Sequence, residues 1–383
     1  MLWLIAPGSA RAIEWDMFAD LAPALRACLD QQLGTEALSQ LIALGGQRPE
    51  NKALRKNASR AFKSCRESAG EVQPPGAPPP TEKACGALPA PYAGSLFDAM
   101  TQIDEREDMA AMVERVRAAG IERMALFARS RKSLGHNEDK VLALRARWPD
   151  FLVLGAPKYF LLDGDLDDDY IDATLSGVQE HRYAFIGEVL YTHGDKSHGE
   201  TTARGERQVD PAAPGTAKLL AGLARLGRPV PFMTHWEVYA WDRDWARFST
   251  LYASAPQQTF IVPHMAFGSV EQMRQLMRAS SNVVLTTSKK EHDKGGYSDA
   301  EKAASLGDGF LDACGRLKAK WRDFMVEYAD RVMFATDAHK THRWNTYAEL
   351  VATARRWLGQ LPPDAASSIA WRNAHKLYLR RDP

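Results

Sequence analysis

Downstream of residue 95, four polar residues close four apolar runs: Glu188 in "FIGEVLYTH", His235 in "PFMTHWE", His264 in "FIVPHMAFG" and Asp337 in "VMFATDAHK". One carboxylate and two imidazoles are a fitting set of three ligands for zinc, leaving a fourth position open for water. Asp337 is then of the right type to accept the proton of that water. Taken singly, each has a bland alternative, since a lone histidine is more often a satisfied structural side chain and a glutamate after Ile-Gly can cap a helix. Gathered at one level, the four would be an expensive polar cluster for a mere scaffold. Arg129, Lys158 and Lys289 also follow apolar runs. These cations suit a carboxylate or phosphate on a substrate, with Tyr159 beside them. The alternative is that they pair with Glu188 or with loop acids such as Asp163 and Asp165.

What must hold these residues at one level is a regular alternation. Eight strand-like runs are "SLFDAM", "RMALFA", "FLVLGA", "YAFIGE", "PVPFMT", "TFIVPH", "NVVLTT" and "RVMFAT". Between them lie amphipathic stretches such as "DEREDMAAMVERVRAAG" and "VEQMRQLMRAS". Short apolar strands separated by amphipathic helices mean parallel strands covered on the outside. Thr101, Arg129, Lys158 and Glu188 follow one another at intervals of 28, 29 and 30 residues, and His235 and His264 are 29 apart. That pitch predicts an α/β fold, a (β/α)8 TIM barrel over residues 95–383, with a doubly wound open sheet as the alternative. In a barrel the reactive face is built by the C-terminal strand ends, where all the residues above fall. Ahead of it, residues 1–69 read as a small helical N-terminal unit. Residues 70–94, "GEVQPPGAPPPTEKACGALPAPYAG", read as a proline-stiffened linker.

The run "LFDAMTQIDE" at strand one is where the pattern departs from the commonest one. The chain resembles the amidohydrolase superfamily over about residues 95–380, on "IGE", "THWE", "VPHMAF", "MFATDAH" and the closing "ASSIAWRNAHKLYL". In two-metal members, a strand-one His-x-His and the strand-eight Asp hold one metal. The strand-four carboxylate bridges to a second, held by the strand-five and strand-six histidines. Here Met100-Thr101-Gln102 replaces His-x-His. The resemblance therefore implies one divalent metal ion, zinc by its ligands, on Glu188, His235 and His264, with Gln102 beside it as a neutral hydrogen-bonding group. It implies Asp337 as the proton acceptor, and hydrolysis of an amide, ester, lactone or phosphoester in a small and anionic molecule. Met100 keeps open a non-catalytic barrel that binds a small ligand, because an apolar side chain would face the lost ligand position. The cations keep open a metal-dependent lyase or decarboxylase acting on a carboxylate.

Composition excludes some classes. The 383 residues carry a formal net charge of +1, which gives no hint of a nucleic-acid partner, and no run of about 18 apolar residues occurs. There is neither a Gly-x-Ser-x-Gly elbow nor a dinucleotide fingerprint after a strand. Tyr191, His193 and His339 stand near the expected mouth, and a rim or structural role is the expectation for both histidines. "HGDKSHGE" reads as a solvated loop and "KKEHDKGGYSD" as a flap over the mouth. "MLWLIAPGSARA" has the small-x-small ending of a truncated signal peptide, so periplasmic or secreted and cytoplasmic residence both stay open. A Cys28–Cys65 bridge would suit export, with unrelated reduced cysteines as the alternative, and Cys314 stands alone. A homo-oligomer is left open too.

Overall fold

The computed structural model describes residues 23–44, 51, 53–54, 57–58, 61, 85–103, 108–129, 138–159, 165–195, 202–237, 241–288, 290–291, 309–339 and 341–380. The candidate signal, the flap residues 292–299 and the proline-rich run 70–84 lie outside them. The chain divides into two compact units, Met1–Thr81 and Glu82–Pro383. In the first, helices α1 (Pro23–Leu33) and α2 (Thr35–Ala43) bury Leu29, Leu38 and Leu41 with Ala58 and Ala61.

The second unit alternates strand and helix as the sequence spacing predicts. Its strands are β1 (Phe97–Ile103), β2 (Arg123–Ala128), β3 (Leu152–Ala156), β4 (Phe185–Leu190), β5 (Thr192–Asp195), β6 (Thr202–Gln208), β7 (Phe232–His235), β8 (Phe260–Val262), β9 (Val283–Thr286) and β10 (Val332–Met333). Eight of them form one parallel sheet in the order β1-β2-β3-β4-β7-β8-β9-β10. The segment after β10 then returns to β1. Phe334 O accepts from Ala99 N at 3.0 Å, Asp337 N donates to Met100 O at 2.9 Å, and Ala338 O accepts from Gln102 N at 2.9 Å. Those bonds close the sheet into a (β/α)8 TIM barrel.

Helices α3 (Met109–Ala118), α4 (Glu138–Arg147), α5 (Asp168–Gln179), α6 (Pro214–Arg225), α7 (Trp241–Ser254), α8 (Val270–Ala279) and α9 (Ala319–Glu327) cover the outside, followed by α10 (Thr341–Asn345), α11 (Tyr347–Leu358), α12 (Pro363–Ser367) and α13 (Asn373–Leu379). Their starts are chemically marked. Asp108 and Asp167 accept backbone N–H bonds at the heads of α3 and α5, and Ser269 with Gln272 forms a capping box at α8. Inside the barrel a separate apolar layer collects Phe97, Ala99, Met100, Phe127, Phe185, Met233, Ile261 and Met333. Tyr378 of α13 belongs to that layer, its ring 4.7 Å from Phe185 and its hydroxyl donating to Ala99 O at 2.9 Å. The Asn373 amide donates to Ala329 O and Val332 O, both at 2.7 Å, which is a physical reason for Asn-Ala in the closing segment.

Residues 85–94, read from sequence as the end of a linker, are instead fixed to this unit. Arg355 donates to Tyr92 O and Gly94 O at 3.0 and 2.9 Å. Cys85 forms a disulfide with Cys314, 229 residues away, so Cys314 does not stand alone. Cys28 is disulfide-bonded too, but its expected partner Cys65 lies outside the described residues. Among the described residues, no helix is long and apolar enough to cross a membrane.

Candidate metal centre at the barrel mouth

Backbone geometry sets the reactive end before any side chain does. In β4 the register shifts between Ile186 and Val189, and a Cβ on Gly187 would lie 2.1 Å from Ala156 O. Only glycine lets β3 and β4 approach so closely, and Glu188 follows directly. A second irregularity, between Asp98 and Thr101 of β1, gives room for both Ala99 and Met100 in the inner apolar layer. Met100 therefore lies in the barrel floor, while Gln102 reaches the polar mouth. After β8, His264, Met265, Ala266 and Phe267 all take positive φ, between 48 and 57°. Left-handed backbone costs roughly 1–2 kcal/mol per non-glycine residue. Such strain gathers where the position of a side chain matters more than local stability. Asp337 shares this backbone, with φ 47°.

Around Glu188, only 1% exposed, the other groups converge. Its Oε1 lies 2.6 Å from His235 Nδ1 and 3.7 Å from His264 Nε2. Its Oε2 accepts from Lys158 Nζ and from Gln102 Nε2, the latter at 3.2 Å. Gln102 Nε2 also donates to Asp337 Oδ1 at 2.6 Å. Placing the amide nitrogen between two carboxylates is forced, since its oxygen there would meet only acceptors. Asp337 Oδ2 is 3.9 Å from His264 Nε2. Both imidazoles are oriented from behind. His264 Nδ1 is 2.8 Å from Ser288 Oγ and 3.3 Å from Ser288 O. His235 Nε2 is 3.1 Å from Glu237 Oε1. Such rear partners fix which nitrogen faces the centre.

Among the described residues, two groups bring their ligand atoms within 4.8 Å of one another, in arrangements that could hold a metal ion. They are Glu188–His235–His264 and His193–His235–Glu237. The first is the trio expected from the sequence. The second shares His235 and adds two residues that were not expected to take part. Glu237 was legible in "THWE", because two residues along a strand return to the same side. The sequence predicts a solvated loop at His193, whereas residues 192–195 and 202–208 pair as an antiparallel hairpin. Thr192 of β5 donates to Asp244 of α7 at 2.7 Å, and the His193 ring sits 5.3 Å from that of His235.

The remaining expected residues divide. Lys158 is brought in, as the ion-pair partner of Glu188. Arg129 follows β2 at the same barrel end and is half-buried. Tyr159 is not brought in: alternation turns it outward, where its ring lies 4.6 Å from that of Tyr170 and its hydroxyl donates to Asp167 Oδ2 and Asp165 O, both at 3.1 Å. Tyr191 likewise bonds Thr216 in the outer layer. Lys289 lies outside the described residues. His339 Nδ1 donates to Asp337 O at 2.8 Å and so braces the strained turn.

Beneath the mouth, sequence reading passed over Asp98. Four donors reach its carboxylate: Thr336 N and Oγ1, Tyr347 OH at 2.6 Å and Met100 N at 3.3 Å. Burial outweighs those bonds and lifts its pKa from 3.8 to about 6.

An amidohydrolase family profile matches residues 197–380, a span that includes His235, His264 and Asp337 but not Glu188. No curated protein sequence matches the chain. Among solved structures, dihydroorotase from Saccharomyces cerevisiae, in complex with 5-fluoroorotic acid, superposes with a TM-score of 0.50 and 12% identity over 77% of this chain and 86% of that one. A probable 2-pyrone-4,6-dicarboxylic acid hydrolase from Acinetobacter baumannii, with citric acid bound, gives 0.47 and 10% over 74% and 99%. An uncharacterised TIM-barrel protein from Bordetella bronchiseptica gives 0.47 and 15% over 72% and 84%. At 12% identity the likeness to the dihydroorotase shows the fold alone.

Proposed function

We propose that the chain is a member of the amidohydrolase superfamily, whose profile matches residues 197–380, and that it is a metal-dependent hydrolase of small molecules carrying an amide, ester, lactone or phosphoester. The observation that carries this reading is the convergence of Glu188 Oε1, His235 Nδ1 and His264 Nε2 at the barrel mouth. One carboxylate oxygen and two imidazole nitrogens fit a single divalent ion, zinc above others. When bound, such an ion supplies an acidified water and polarises the oxygen under attack.

The chain's own residues supply the rest. Glu237 accepts the Nε2 proton of His235, which leaves Nδ1 as the ligand. Ser288 accepts at Nδ1 of His264, which leaves Nε2 facing Glu188. Gln102 anchors one oxygen of Asp337, and the other points toward the imidazole cluster. In this reading Asp337 takes the proton of the attacking water and returns it to the leaving group. Arg129, at the end of β2, is the described cation best placed to meet an anionic substrate. Two observations weigh against the binding-only and lyase alternatives. Met100 sits in the apolar floor and does not face the cluster, and Lys158 is engaged by Glu188 and does not stand ready for a carboxylate.

The test is a panel of lactones, esters, amides and phosphoesters offered to the zinc-loaded protein and to Asp337→Asn. The variant is expected to keep its metal and lose kcat by about 10²–10⁴, the range for removing a general base. Equal activity in both proteins would overturn the role of Asp337.

A further inference from the structure

Glu188 divides its two oxygens between two different neighbourhoods. Oε1 faces the imidazoles, whereas Oε2 faces the Lys158 ammonium and the Gln102 amide. The same amide bonds Asp337 Oδ1, so the Oε2 side is a corner of two carboxylates and two hydrogen-bond donors. We propose that Lys158 is a built-in cation filling a second cation position at Glu188, so that the site takes one divalent ion, and that without this ammonium the corner becomes a second metal site. The stoichiometry of one rests on the metal reading of the imidazole side; the behaviour of the corner does not.

Charge supports the count. Glu188, Glu237 and Asp337 are all buried, and the Lys158 ammonium is paired with Glu188. With neutral imidazoles, three carboxylates against one ammonium leave two negative charges, which one divalent ion neutralises. A second divalent ion beside Lys158 would leave as much excess positive charge in a site of low dielectric. Lys158 is also held in place. It is 8% exposed, and its backbone N–H donates to Ala128 O at 2.9 Å.

Taking the ammonium away leaves Glu188 Oε2, Asp337 Oδ1 and Gln102. The Gln102 Oε1 atom is buried and has no hydrogen-bond partner among the described residues. A flip of the amide would turn that oxygen into the corner. Three oxygen donors plus water suit a hard ion such as Mn²⁺.

The experiment counts Mn²⁺ per chain by equilibrium dialysis and by electron paramagnetic resonance, in the parent, Lys158→Ala and Lys158→Ala with His193→Ala. The expected result is one ion in the parent, two in Lys158→Ala with a spin-coupled spectrum, and two again in the double variant, which separates the corner from the His193 group. Two ions in the parent, no ion in Lys158→Ala beyond those the parent holds, or loss of the gained ion with His193→Ala would each overturn the proposal. A parent that binds no ion would refute the imidazole-side reading. The corner would then be judged by whether Lys158→Ala gains an ion that the parent lacks. Should Lys158→Ala fail to accumulate folded, it is refolded with and without Mn²⁺. Recovery only with Mn²⁺ is expected, and failure under both conditions overturns the claim.

Discussion

Single residues at the mouth do two kinds of work, and their types alone did not separate them. Glu188, His235, His264 and Asp337 were legible because each closes an apolar run. Tyr159 was placed with them by proximity in sequence, yet one step along an extended chain reverses the side, and it caps the outer layer instead. Asp98 was missed because an aspartate inside a strand gives no signal until its donors Thr336 and Tyr347 arrive from far along the chain. Its raised pKa has a pH consequence. Folding holds a proton at Asp98 that the unfolded chain gives up above about 3.8, so the contribution is complete below that pH and is lost as pH rises through about 6. A shift of that size corresponds to roughly 3 kcal/mol. Urea denaturation of the parent and Asp98→Asn at pH 4 and pH 7 checks this. The variant should gain stability relative to the parent at the higher pH, and a pH-independent difference would count against it.

At the scale of elements, periodicity carried most of the information. The strand runs were placed to within a few residues, because a parallel strand buried on both faces is apolar throughout. Irregular elements were not legible. The bulge in β1, the left-handed turn after β8 and the hairpin of β5 and β6 interrupt the alternation of strand and helix, and no residue pattern marks them. The Cys85–Cys314 disulfide is of the same kind, since four cysteines permit three pairings and spacing does not choose between them. It ties residues 85–94 to the segment after β9 by closing a loop of 229 residues. Reduction should lower unfolding free energy by about 2–4 kcal/mol, the usual range for a long loop. Thermal melts of the parent with and without reductant, alongside Cys85→Ser/Cys314→Ser, check this. The double variant should melt below the parent, with the reduced parent, which also loses the Cys28 disulfide, at or below the double variant; unchanged melting of the double variant would refute a structural role.

For the whole molecule, the eightfold repeat made the barrel legible, and the barrel in turn gave the strand-end residues a common face. The helical unit at the N-terminus carries a small apolar core of its own, and its two described helices present no chemistry-bearing cluster. What the barrel presents is a buried cluster of carboxylates and imidazoles whose arrangement could hold a metal ion, and the proposed function gives it one divalent ion. Metal content tests this most directly, counted in the purified protein as isolated, after zinc loading, and in His264→Ala. Close to one equivalent of zinc per chain, lost in His264→Ala while the fold persists by circular dichroism, is the predicted result. No metal in the parent even after loading, or undiminished metal in the variant, would contradict it.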